Sequence, residues 1–148
     1  MSEGLPAIEM SDRIVEADAD FLRDALIAEN EAHLGVMDYR PLALVVRERG
    51  RLLGGLHGET ARGLLYIDML WLAADQRRRG LGSRLLLAAE AEARRRGCRL
   101  AWLDTYDFQA RPFYERHGYA VFGEIDGLPG GHRRWFMKKS LGPSADAA

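Results

Sequence analysis

The clearest chemistry in the chain sits in seven consecutive residues: Arg77, Arg78, Arg79, Gly80, Leu81, Gly82 and Ser83. Guanidiniums are planar forks suited to phosphate, and the two glycines let bare backbone come close to a ligand. The run opens an apolar-periodic segment that reads as a helix. The first N–H groups of a helix lack partners, and its dipole is positive there. Three cations beside such an end repel one another and the dipole, so stability does not explain them. A loop of N–H groups opening a helix after a strand is an anion cradle, best filled by phosphate. A second triplet, Arg94, Arg95 and Arg96, falls in the last turn of the same segment. There the dipole is negative and orphan carbonyls attract cations, so its reading is structural.

The common phosphate motifs fit poorly. No Gly-Lys-[Ser/Thr] follows the loop, as a nucleoside triphosphatase requires. A dinucleotide fold would need a third glycine and a place after the first strand. Nucleic acid is disfavoured as well: the net charge is −1, and no exposed aromatics interleave the arginines. Asp68 stands alone in the apolar run 64–72, and a carboxylate there is costly unless paired or used. Alternation puts Tyr66, Asp68 and Leu70 on one face of that run, and His57 and Glu59 on one face of the run before it. The four histidines, His33, His57, His117 and His132, lack the spacing of metal ligands, so no metal is expected.

The elements that must position these groups read as α+β. With 148 residues, 47% hydrophobic and 29% charged, the chain suits one globular domain over 1–141, with a flexible tail at 142–148. One cysteine, Cys98, forms no internal disulfide. No apolar run nears the ~18–20 residues of a membrane span, and the first ten residues carry Glu3 and Glu9 where a signal peptide is basic then apolar. A cytoplasmic protein without a membrane partner is expected. The spacing predicts a helix over 18–31, with a short one after it, and a weak strand at 7–10. Strands at 42–49, 52–60 and 64–72 form an antiparallel meander through turns at Gly50 and 61–63. The arginine loop then leads into a helix over 81–96, with Leu81, Leu85, Ala88, Ala89 and Ala93 as its apolar stripe and Gly97 as its stop. A buried strand at 100–105 completes a right-handed, parallel β-α-β crossover. A helix at 109–117 and strands at 119–125 and 132–139, joined by a glycine-rich turn, close a mixed sheet flanked by helices.

Leu72-Ala-Ala-Asp-Gln-Arg-Arg-Arg-Gly-Leu-Gly82 resembles the pyrophosphate-loop signature of the GNAT superfamily of acetyl-CoA-dependent N-acetyltransferases, Arg/Gln-x-x-Gly-x-Gly/Ala after a strand. Downstream, Ala110-Arg-Pro-Phe-Tyr114 and then Gly118-Tyr119 is similar to the family's second motif. The resemblance covers roughly 42–139. Within it, Asp104-Thr105, Phe108-Gln109-Ala110, Phe122-Gly123 and the Pro129–His132 turn are similar to a bacterial branch whose substrates are mostly unassigned.

The resemblance implies a GNAT-like fold and direct transfer of acetyl from acetyl-CoA to an amine, without a metal. It implies cofactor contacts from Leu70, Trp71, Leu72, Arg77, Arg78, Arg79, Gly80, Leu81, Gly82, Ser83, Gln109, Phe113 and Tyr114. The backbone of residues 70–72 would meet the acetyl carbonyl, and Tyr114 would be the acid for the leaving thiolate. The base ranks as Asp68, then Glu59, then His57, with the latter two acting through water. One departure is Asp107, where many relatives carry an asparagine on the pantetheine arm. Either Gln109 takes that contact or the loop is rearranged. Trp71, Trp102 and Trp135 could wall the acceptor pocket, although core packing is the expected job of at least two. The turn 126–132 is expected to shape that pocket. Two carboxylates near the cleft favour a cationic amine, from a small molecule or a protein, and relatives are often homodimers. A second reading keeps the fold and the coenzyme but gives the chain only a regulatory, CoA-binding role.

Overall fold

A computed structural model of the chain describes residues 4–142, so the expected tail lies, from residue 143 on, outside the described residues. They divide into two compact units that meet between Met37 and Asp38.

The first unit holds one helix, α1 (Glu16–Leu34), with Glu16 and Asp18 in its first turn and His33 in its last, each matched to the dipole. Gly35, at φ +81°, ends it and donates its N–H to the Glu31 carbonyl (3.0 Å). The helix is longer than predicted at both ends, because its breaker is Gly35. Neither the strand at 7–10 nor a second short helix forms in this unit. A lone apolar stretch after Pro6 has no ladder in the unit to satisfy its backbone.

The second unit contains the predicted mixed sheet. Its elements are β1 (Arg40–Glu48), β2 (Arg51–Ala61), β3 (Leu64–Leu72), α2 (Leu81–Arg95), β4 (Leu100–Tyr106), α3 (Arg111–Arg116), β5 (Ala120–Leu128) and β6 (His132–Ser140). The six strands run β1-β2-β3-β4-β6-β5, with β3 and β4 the parallel pair. One core lies between the sheet and α2, where Leu85, Leu86, Ala89 and Ala93 meet Leu42, Leu56, Leu65, Ile67, Leu103 and Met137. The stripe departs from prediction at three residues: Ala88 is exposed, while Leu86 and Glu90 are fully buried. Strand β5 extends to Leu128, and a single 3₁₀ turn over Pro129–Gly131 replaces the predicted long loop.

Two irregularities in the meander matter for the site. The β2–β3 register slips between His57 and Gly58, which face Met69 and Ile67, so Asp68 is the extra residue of a bulge. The slip reverses the alternation of β3. Leu65 and Ile67 face the core, and so do Leu70 and Leu72, while Asp68, Met69 and Trp71 are exposed. Leu70 therefore leaves the face predicted for Tyr66 and Asp68. The β3–β4 ladder also stops at Ile67 and Leu103, and the strands part beyond it. Glycines permit this close packing: a Cβ on Gly58 would collide with the Tyr66 carbonyl oxygen, and one on Gly54 would stand 2.7 Å from that of Trp71. Gly58→Ala is expected to cost about 1–3 kcal/mol in urea unfolding, since backbone cannot yield as a side chain does. A loss below half of that would mean that the bulge relaxes.

Candidate active site

The cleft between the parted ends of β3 and β4 is a cavity of about 690 Å³. Its walls come from four places: residues 67–72 of β3, Arg77 and Gly82 of the loop and α2, residues 103–106 of β4, and Phe108, Gln109, Ala110, Phe113 and Tyr114. Because pairing ends at Ile67, the edge of β3 over residues 68–72 has no strand on its β4 side. Its peptide groups there are available to a ligand laid along the cleft.

The helix end at the cleft is left open. Gly80, in the left-handed region at φ +80°, caps α2, and Arg78 reaches φ +65° two residues earlier. No side chain caps the helix, and its first turn carries no carboxylate. The free N–H groups and positive dipole are thus left to whatever enters. Arg77 donates from Nε to the Leu72 carbonyl (3.3 Å), and Arg79 donates to the buried Gln76 side chain. The first contact ties the loop to β3, and the second braces the loop within itself. Gly82 faces the cavity between Phe113 Cζ and Leu72 Cδ1, 3.4 and 3.5 Å from the position of a Cβ.

Of the residues assigned to the cofactor by sequence, Leu70, Trp71, Leu72, Arg77, Gly82, Gln109, Phe113 and Tyr114 line this cavity together. Arg78, Arg79 and Gly80 are exposed on the loop outside its walls, Ser83 is half-buried beside it, and the Leu81 side chain turns into the protein. Tyr114 is 7% exposed, and its hydroxyl has no hydrogen-bond partner among the described residues. Burial, reinforced by the Asp104 charge, pushes its phenol up to about 12.

Asp68 lines the wall and is paired: its Oδ1 lies 2.7 Å from His57 Nδ1. Glu59, two residues along β2, does not line the cavity. Sequence reasoning named all three but did not pair two of them, since the pairing depends on the bulge. It also quoted Asp104 without a role. That carboxylate lines the wall, accepts the Tyr66 hydroxyl (3.0 Å) and meets the Arg134 guanidinium (2.6 Å). The signal was a carboxylate in a short buried strand, but its partners lie 38 and 30 residues away.

Asp107 turns to β6. Its Oδ1 pairs with His132 Nδ1 (2.8 Å), and its Oδ2 accepts the Arg133 N–H (3.0 Å). Burial works to raise this carboxyl, but those two hydrogen bonds outweigh it and hold it below the usual range. The pair ties the loop bearing Phe108 and Gln109 to the end of the β5–β6 hairpin. Gln109 Oε1 accepts from Thr105 Oγ1 (3.0 Å) and the Tyr106 N–H (2.8 Å), which leaves its amide nitrogen for the cavity. Of the tryptophans, Trp71 lines the cavity and is exposed, Trp102 stacks on Tyr66 at 4.3 Å, and only Trp135 packs against the core. Trp71 and Trp102 stand on the sheet face away from α2, where the core does not reach. Among the described residues no helix is long and apolar enough to cross a membrane.

Residues 8–119 match the model of the Acetyltransferase (GNAT) family. An acetyltransferase of Agrobacterium fabrum is 38% identical over 128 residues, covering 85% of this chain and 93% of its own length. The blasticidin-S acetyltransferase of Streptomyces morookaense is 42% identical over 111 residues, covering 72% and 82%. The crystal structure of an Agrobacterium tumefaciens acetyltransferase superposes with a TM-score of 0.84 at 35% identity, over 91% of this chain and 99% of that one.

Proposed function

The chain belongs to the GNAT family of acetyltransferases, and from that premise we propose that it carries acetyl from acetyl-CoA directly to a primary amine. The observation that carries the reading is the split between β3 and β4, which runs from Asp68 to the uncapped start of α2. A coenzyme laid along it would put its pyrophosphate on the loop 77–83. Its pantetheine arm would lie on the free edge of β3, and its thioester would sit between Tyr114 and Asp68. The loop arginines and the N–H groups of residues 79–83 bind and orient the diphosphate. The backbone of residues 70–72 receives the carbonyl oxygen as charge builds on it. The Asp68–His57 pair accepts the proton that an amine with a pKa near ~10 must lose before attack, with Glu59 the alternative. Tyr114 stands as proton donor to the leaving thiolate.

The Streptomyces relative is named for blasticidin S. We accordingly favour a small-molecule amine over a protein amine as acceptor, in a cytoplasmic protein whose catalytic domain spans 1–141.

Isothermal titration with CoA tests the reading. Micromolar binding is expected, weakened by about 10–100-fold in Gly82→Asp, which sets an anion in an anion cradle, and by about 10-fold in Arg79→Ala. Absence of binding, or unchanged affinity in both variants, would sink it. Acetyl-CoA with an amine panel should then release free thiol above hydrolysis. A merely regulatory CoA-binding module would release none.

A further inference from the structure

We propose that His57, and not a carboxylate, is the general base, and that Asp68 is a positioning residue that fixes the imidazole. This inference rests on the acetyl-transfer reading above. Four observations carry it: the 2.7 Å contact between His57 Nδ1 and Asp68 Oδ1, the bulge that creates it, the place of Asp68 in the cavity wall, and the 39% exposure of both side chains. An ionised carboxylate only accepts hydrogen bonds, so the proton in this contact sits on Nδ1. Nε2 then keeps its lone pair, and it has no partner among the described residues. A base oriented through its far nitrogen by a carboxylate follows the logic of the Asp-His pair of hydrolases.

Chemistry favours the imidazole over the acid that holds it. As a side-chain type, an imidazole is a stronger base than a carboxylate and so the better match to an alkylammonium. The charged groups around His57 are anionic and suit an imidazolium. Asp68 comes from β3 with Tyr66 nearby, and Glu59 from β2. Tyr39 is in reach of both Glu59 and Asp68, and β1 offers Ala43 opposite. His57 stands outside the cavity wall, one strand beyond Asp68, so the proton travels through one water.

The step balances. The ammonium gives one proton, through that water, to Nε2, forming an imidazolium beside the Asp68 carboxylate, and the freed lone pair makes the N–C bond to the thioester carbonyl. The C–S bond breaks with its electrons on sulfur, which takes the Tyr114 proton. The second proton shed by nitrogen restores Tyr114, and the imidazolium returns its proton to water. Amide, CoA thiol and one proton are the products.

The test is the pH dependence of kcat/KM for the amine of highest turnover in the panel, measured in the wild type, His57→Gln and Asp68→Asn, with CoA affinity recorded alongside. His57→Gln is expected to lose about 30–100-fold at pH 7 and the acid limb of the imidazole range, with the defect shrinking above pH ~9.5, where amines deprotonate unaided. Asp68→Asn, whose amide favours the wrong tautomer, should lose a similar factor. A limb that survives in His57→Gln, or undiminished turnover in Asp68→Asn, overturns the assignment. Long-range ¹H–¹⁵N spectra give a readout free of activity: Nδ1 should carry the proton in the wild type and lose that preference in Asp68→Asn. An Nε2–H tautomer in the wild type overturns the proposal even if no amine is turned over. Failure of CoA binding would instead remove the transferase reading itself.

Discussion

Tyr114→Phe is expected to lower turnover by about 10²-fold while CoA affinity stays within about 2-fold. The substitution removes one hydroxyl and keeps the ring that packs edge-on against Phe113 (5.2 Å) and Tyr119 (5.8 Å), so neither the cleft nor α3 should move. The size of the loss follows from the phenol's environment. Burial and the Asp104 charge push it up to about 12, whereas an ordinary thiol titrates near ~8.5. Such a phenol does not hand over its proton freely; in the proposed transfer it would protonate sulfur only as the amine nitrogen gives up its own. That places the effect at the lower end of the ~10²–10⁴-fold typical of general acids.

The sign for pH follows as well. With its folded value above the ordinary one, the protonated phenol stabilises the fold in full below pH ~10, and this contribution fades as pH rises through about 12. Tyr114 therefore gives the rate profile no falling limb between pH 7 and 10. Steady-state turnover with titrated CoA affinity checks both statements. Wild-type turnover in Tyr114→Phe would mean that the thiolate leaves unaided.

What could be read from the chain divides along physical lines. Strand β3 and the start of α2 were legible because each is set by a local period and a local breaker: Gly63 before one, Gly80 at the other. The glycine-bearing bend before the uncapped helix was legible for the same reason, since it needs only consecutive residues. The phase of β3 was not. Its nine residues are apolar but for Asp68, and nothing within the run announces that Asp68 is the extra residue of a bulge. One slipped residue moves Leu70 and Leu72 onto the core face and brings Asp68 beside His57. Asp107 shows the complementary limit. Read locally, its charge is unwelcome near a coenzyme, yet a pairing 25 residues away turns it to His132.

Glu90 was missed because a glutamate in a helix reads as solvated, and its partners are remote. It is fully buried on α2, accepts the Tyr119 hydroxyl at 2.9 Å and the Lys139 ammonium at 2.7 Å, and has Arg94 at 3.9 Å. Burial pushes the Tyr119 phenol far above its usual value, with the Glu90 charge adding to it, so Tyr119 remains a donor at any working pH. Lys139→Met should cost about 3 kcal/mol, the lower end of what removing one partner of a buried ion pair costs, because Arg94 stays within reach. For a chain of this size that corresponds to a fall in Tm of roughly 6–12 °C.

The second variant decides the cause. Glu90→Gln removes the stranded charge but keeps an acceptor for Tyr119, so Glu90→Gln with Lys139→Met should recover most of the loss. If the double variant is as unstable as Lys139→Met, the lysine acts by packing its stem beside Tyr119, whose ring centroid lies 5.7 Å from Nζ, rather than by charge. The charge reading ties fold to site. The Glu90 pair fastens α2 to β6, and the start of that helix opens on the cleft. CoA affinity measured well below the transition should therefore survive Lys139→Met, while the temperature at which it is lost falls with Tm.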